Sequence, residues 1–252
     1  MEEFLLFLAG LAGGMVNSIA GGGSFITFPA LIAAGVPPIA ANATNTFASC
    51  AGYVGGAAGF RQELWTHRAC LPRILLCASL GGGCGAWLLL QTSSVTFNRV
   101  VPWLLLFATI LLVWGEPLQQ RWRLTAGTYA ALSRITTALL TVLLLLVCTY
   151  GGFFNAGLGI ILLAYLTFAG YQDIHLMNGL KLIVSAMVAL WAIAVFGAGD
   201  LIAWREGAIV MAGTLVGGYG AARTARLVNP ERVRQVIIAV AAGMTAYFFI
   251  WG

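Results

Sequence analysis

Charged side chains are scarce in this chain. Of its 252 residues only 8% are Asp, Glu, Lys or Arg, while 60% are hydrophobic; a soluble domain carries about a quarter charged residues. With a mean hydropathy of +0.93, that shortage excludes a soluble fold, which could not hide so much apolar surface. No long hydrophilic stretch is available for a domain outside the bilayer. Cysteine supplies no framework either: Cys50, Cys70, Cys77, Cys84 and Cys148 contain no C-x-x-C pair, and His67 and His175 stand far apart. That spacing excludes the usual metal and redox motifs, so no metal and no cofactor are expected, and the cysteines read as small apolar residues. Nothing has the form of a Ser-His-Asp triad or a catalytic carboxylate pair, so the chain is not read as an enzyme. Acids at Glu2 and Glu3, where a secretory leader would be basic, predict that no signal peptide is removed. The net charge of +5 could suggest nucleic acid, but the basic residues sit at the ends of apolar runs, where they orient spans in a bilayer. The partner implied is lipid, and no nucleic acid is expected.

Glycine, by contrast, is abundant at 32 residues, and it is concentrated where apolar runs are interrupted. Gly13-Gly14-Met15-Val16-Asn17-Ser18-Ile19-Ala20-Gly21-Gly22-Gly23-Ser24 is followed half a chain later by Gly151-Gly152-Phe153-Phe154-Asn155-Ala156-Gly157-Leu158-Gly159. Inside lipid, such breaks free backbone groups that only other protein, water or a solute can satisfy. Paired breaks at corresponding places in two halves point to the solute site of a transporter.

The apolar runs predict an all-α, multi-pass protein of the inner (plasma) membrane with two sets of four elements. The first set is a broken element Phe4–Ala34, then Ile39–Gly59, Ala69–Leu90 and Val100–Gly115. The second is a broken element Arg134–Ala169, then Ile174–Phe196, Trp204–Ala222 and Val233–Trp251. Residues 1–120 form the first membrane repeat, 121–133 a linking loop and 134–252 the second repeat. Gly13-Gly14-x-x-Asn17 pairs with Gly151-Gly152-x-x-Asn155, Leu80–Ala86 with Leu215–Ala221, and Asn98-Arg99-Val100 with Glu231-Arg232-Val233, in consistent order. If each broken element simply spans, basic residues fall on both faces. If each instead enters and returns, Arg61, Arg68, Arg121, Arg123, Arg134, Arg223, Arg226, Arg232 and Arg234 share one face, opposed by Arg99 and Arg205. The positive-inside rule favours this second, re-entrant arrangement. Three crossings per half then make the repeats inverted, with both termini outside. Against it, Arg134–Ala169 is long enough to cross alone.

Candidate ligand groups cluster at the breaks. A short helix starting near Ser24, with Ser24 as its N-cap, would present free N–H groups and a partial positive charge, which favour an anion. Gly21, Gly22 and Gly23 allow close backbone approach, and Gly157 and Gly159 offer a similar terminus from the other half. Asn17, Ser18 and Asn155 sit beside them. Asn42, Thr44 and Asn45, with Thr46, form a polar group within about one helical turn, and Asn178 shares a face with Lys181, the single lysine. Amides within a span are costly unless paired or facing a cavity. Lys181 could instead snorkel to the interface, and glycines could serve only close packing. All eight acids lie at span ends or in loops; Asp173 and His175 are the nearest candidates for a protonatable pair. A site of amides and one lysine suits an anionic solute and disfavours metal cations. Gly81-Gly82-Gly83-x-Gly85 reads as a close helix crossing, and Trp65, Trp103, Trp114, Trp122, Trp204 and Trp251 as interfacial anchors.

The motif Ala12-Gly13-Gly14-x-x-Asn17-Ser18-x-Ala20-Gly21-Gly22-Gly23-Ser24-Phe25, with Phe28-Pro29-Ala30-Leu31, Pro37-Pro38 and Ala41-Asn42-Ala43-Thr44-Asn45, resembles the first-repeat signature of the TauE/SafE family. Gly151 to Lys181 is similar to the second repeat, although family members often carry an Asn/Thr cluster where this chain has Asn178-Gly179-Leu180-Lys181. The resemblance implies export of a small sulfur-containing anion such as sulfite or an organosulfonate; the residues alone support an anionic or polar solute. An anion channel, an importer and a homo-oligomer all stay open, and rocking of one repeat against the other is the expected motion. A reporter fused after Gly252 is expected to signal from outside the cytoplasm; a cytoplasmic signal contradicts the re-entrant count.

Overall fold

The computed structural model describes residues 1–19, 21–125, 134–224 and 230–251. Most of the expected linking loop 121–133 lies outside the described residues. The side chains of Arg121, Arg123, Arg134, Arg223, Arg226, Arg232 and Arg234, and of Ser18, lie outside them as well. Among the described residues every regular element is helical: α1 (Glu2–Ile19), α2 (Ser24–Ala33), α3 (Pro38–Gly59), α4 (Arg61–Thr66), α5 (Leu71–Leu90), α6 (Ser94–Thr125), α7 (Arg134–Phe153), α8 (Leu158–Phe168), α9 (Ile174–Ala198), α10 (Trp204–Thr224) and α11 (Pro230–Trp251). A single 3-10 turn, Arg68–Cys70, precedes α5. Among the described residues, three segments are long and apolar enough to cross a membrane: Arg68–Leu90, Ser94–Trp114 and Ile174–Ala198. α3 has 22 residues, about the length a crossing needs, but asparagines, threonines and glycines dilute its apolar character.

Each predicted broken element is two helices. Gly21 and Gly22 in the first break, and Gly157 in the second, have φ of 73°, 95° and 82°, a left-handed conformation that only glycine adopts without penalty. The short helices also end alike. Ala34-Gly35 and Ala169-Gly170 turn left-handed at glycine, and Val36 and Tyr171 donate N–H back to the carbonyls of Leu31 and Leu166 at 3.1 and 3.0 Å. This is the six-to-one bond of a Schellman cap. Asp173 opens α9 as its N-cap, accepting the His175 backbone N–H at 2.9 Å. The Asp173–His175 pair is thus a helix cap at the surface.

Helix partnerships are the same in both halves. α1 packs on α10 as α7 packs on α5; α3 meets α10 as α9 meets α5; α2 meets α11 as α8 meets α6; and α3 meets α9. Glycine-to-backbone contact makes the tightest of these. A Cβ on Gly14 would overlap the Thr214 carbonyl, one on Gly217 that of Leu11, and one on Gly85 that of Thr149. The predicted close crossing at Gly81–Gly85 serves two helices: Gly81 and Gly85 face α7, and a Cβ on Gly82 would meet Val188 of α9. Beneath the breaks lies an aromatic core: Phe28 of α2 meets Phe154 edge-on at 5.6 Å and stacks on Phe248 of α11 at 5.9 Å. Trp65, Trp103, Trp114 and Trp204 are exposed on the outer surface, as interfacial anchors would be.

Gly85→Val is expected to lower the melting temperature of the purified protein, because overpacking against backbone costs about 1–3 kcal/mol. Gly83→Ala, where an added Cβ meets nothing within 4 Å, is expected to leave it unchanged or raise it slightly.

Candidate functional site

Two polar stripes face the breaks. On α3, Asn42, Asn45, Ser49 and Tyr53 recur at three- and four-residue intervals and so share one face; on α9, Asn178, Lys181 and Ser185 repeat the start of that spacing. Asn42 binds the second break directly: its amide nitrogen donates to the Phe153 carbonyl at 2.9 Å, and its oxygen accepts the Asn155 N–H at 3.4 Å. The Tyr53 hydroxyl donates to Asn155 Oδ1 at 3.3 Å and lies within hydrogen-bonding reach of Ser24 and Ser49. Tyr53 thereby joins α3 to both breaks at once. Thr27 of α2 lies against the Gly23 carbonyl and the Asn45 side-chain oxygen.

Several polar groups are left without partners in this buried setting. Asn45 Nδ2, Asn155 Nδ2 and Ser185 Oγ have none among the described residues, although the three residues are 0%, 2% and 1% exposed. Each such group left unpaired costs about 1–3 kcal/mol. The amides of Gly157 and Gly159 likewise find no backbone acceptor among the described residues.

Lys181 stands between the breaks. It is 4% exposed and donates to Asn178 Oδ1 at 3.0 Å, so it does not snorkel. A Cβ on Gly21 would lie 4.0 Å from its Nζ and one on Gly159 3.4 Å from its Cδ. Lys181 is the only charged side chain buried among the described residues. Their one ion pair, Arg205–Glu3, is at the surface.

The other expected residues are placed as follows. Asn17 is half-buried and, with Gly23, Thr27 and Ser49, lines a cavity of about 500 Å³ that extends along α3 to Gly59 and Phe60. Gly22 packs against Phe25, Ile160 and Ile237, and Gly23 against Gly13. Ser24 is not the N-cap; Gly23 occupies that position without a side-chain cap, and Ser24 begins the helix facing Tyr53. Thr44 is not brought to this group. Its hydroxyl accepts the Ala203 N–H at 2.9 Å and so fixes the start of α10. Tyr53, Thr27, Ser49 and Ser185 were not anticipated. The signal for the serines and Tyr53 was their helical spacing from Asn42, Asn45 and Lys181.

Among known proteins, the family described as "Sulfite exporter TauE/SafE" matches residues 6–248. The chain is similar to a "Probable membrane transporter protein" of Haemophilus influenzae, 26% identical over 243 residues covering 96% of this chain and 92% of that protein. It is similar to "Probable membrane transporter protein YfcA" of Escherichia coli strain K12, 25% identical over 247 residues covering 96% and 87%. It is also similar to "Probable membrane transporter protein ORF9" of a Sinorhizobium species, 29% identical over 252 residues covering 96% and 91%. No solved structure matches.

Two substitutions separate bonded from unbonded groups. Asn42→Leu is expected to destabilise the solute-free protein by about 2–5 kcal/mol, since it strands two buried backbone groups. Ser185→Ala removes a hydroxyl with no partner and is expected to leave the melting temperature unchanged or raise it.

Proposed function

The chain belongs to the TauE/SafE family and is a membrane transporter, and we propose that it exports a small sulfur-containing anion, sulfite or an organosulfonate, through a site shared by its two halves. The observation that carries this reading is a set of buried, unpartnered polar atoms on Asn45, Asn155 and Ser185, with Lys181, one turn before Ser185 on α9, lying against Gly21 and Gly159 of the two breaks. An oxyanion presents only acceptors, so donors are what it needs. Asn17, the Gly21–Ser24 backbone, Asn42 and Asn178 complete the lining, Gly157 contributes the second helix start, and Lys181 offsets the charge. Thr44 supports the site from behind through α10.

The inverted, re-entrant arrangement is supported by the directions in which helices meet. Gly13 faces Thr27 while Asn17 faces Gly23, so α2 runs back along α1. Gly56 meets Leu182 while Phe60 meets Gly179, so α3 and α9 are antiparallel. Thr109 reaches Thr245 and Trp103 reaches Phe249, so α6 and α11 are antiparallel too. Repeats of the same orientation would make both pairs parallel. With the re-entrant count, the cavity runs from Asn17 and Gly23 of the first break towards the end of α3 that carries Arg61 and Arg68, the cytoplasmic side from which an exporter loads. Antiparallel partner helices support the reading of alternating access by inverted repeats.

Proteoliposomes test the reading. Sulfite efflux is expected to saturate and to show counterflow, and Asn155→Leu and Asn45→Leu are each expected to lower it at least about tenfold, the loss of a charge-assisted hydrogen bond. Non-saturating flux without counterflow would indicate a channel. Unchanged efflux in Asn17→Leu/Asn42→Leu would place the site elsewhere.

A further inference from the structure

Over their first three members the two stripes are alike except at one position. Asn42 and Asn45 stand three residues apart on α3, and Asn178 and Lys181 three apart on α9; the second member of the pair is a neutral amide in one half and an ammonium in the other. Resting on the anion-binding reading above, we infer that Lys181 sets the net charge of the cargo at a single negative charge.

The physical argument is one of compensation. An ammonium has three donors, and Lys181 uses one, on Asn178. No carboxylate among the described residues approaches it, since their one ion pair is Arg205–Glu3. A buried charge left unpaired costs several kcal/mol. A monoanion held between Gly21 and Gly159 removes that cost, and the loaded site becomes neutral. A dianion would restore an uncompensated charge of the opposite sign in the same low-dielectric position. A neutral solute would leave the ammonium unpaired. The surrounding groups, Asn45, Asn155 and Ser185, can bond oxygen atoms whatever the solute's charge, so discrimination by charge falls to Lys181 alone.

The test uses three probes that share sulfonyl oxygens and differ in charge: methanesulfonate (one negative charge), sulfate (two) and dimethyl sulfone (none). Their binding to the purified full-length protein is read by thermal shift and calorimetry, in wild type, Lys181→Arg, Lys181→Asn and Lys181→Met. Wild type is expected to bind methanesulfonate at least about tenfold more tightly than either other probe, a difference of about 1.4 kcal/mol. Lys181→Arg is expected to keep that order. Lys181→Asn, which repeats the amide of the other half, is expected to fold and to lose the preference of methanesulfonate over dimethyl sulfone. Lys181→Met controls for loss of charge without a new amide and is expected to lose it as well. If both neutral variants keep the wild-type ratios, Lys181 does not select charge and the inference fails, while the anion site stands. If wild type prefers sulfate or dimethyl sulfone, the inference fails in the same way. If wild type binds none of the three, nor sulfite, the anion-binding reading itself fails.

Discussion

A backbone amide in the interior of a membrane must find a partner, and the rest of this molecule is arranged around two places where the helix ladder does not provide one. At Gly21–Gly22 and at Gly157 the chain takes left-handed conformations and starts a short helix in mid-structure. Asn42 meets part of that need by bonding the Phe153 carbonyl and the Asn155 N–H. Tyr53 reaches from α3 to the side chains of Asn155 and Ser24, one at each break. Side-chain atoms of Asn45, Asn155 and Ser185 stay without partners among the described residues, which is what the proposed site rests on. Phe28, Phe154 and Phe248 pack together as an aromatic layer.

Much of this was legible in the sequence because it depended on residues with strong local consequences. Glycine pairs in apolar runs, the Asn17/Asn155 match and the order of apolar segments placed eight elements, and the structure refines these by dividing each broken element in two. The close crossing at Gly81–Gly85 was readable because small residues at helical spacing have few other uses in a membrane. The site was less legible where a side chain's direction decided the matter. Thr44 lies among Asn42 and Asn45 in sequence, yet helical geometry turns it towards Ala203. Ser24 looked like a cap, but Gly23 already supplies the turn. Ser185 and Tyr53 continue the spacing of Lys181 and Asn45 along their helices, whereas Thr27 is a lone hydroxyl in apolar α2 and gains meaning only from its contacts with Gly23 and Asn45.

The match between the halves is one of partnership, and it tolerates differences in content. Identical Schellman endings at Gly35 and Gly170 and interchangeable helix pairs keep the two breaks in equivalent positions. Within that frame, Asn45 on one side and Lys181 on the other occupy corresponding places with different charge. The same helix partnerships thus bring an amide from one half and an ammonium from the other to matching positions.

The glycine contacts carry a mechanical consequence. Where backbone touches backbone, at α1 with α10 and α5 with α7, the helices interlock without intervening side chains and behave as stiff bodies. Both of these joints cross the boundary between the halves, so the stiff units are each assembled from one helix of either half. Along α3, in contrast, Gly52, Gly55 and Gly59 would meet nothing within 4 Å even with a Cβ added. A helix wall without teeth offers little steric resistance to slip. There α3 presents bare backbone to the cavity, so the passage beside it is left wide by the same residue type that locks the other helices together.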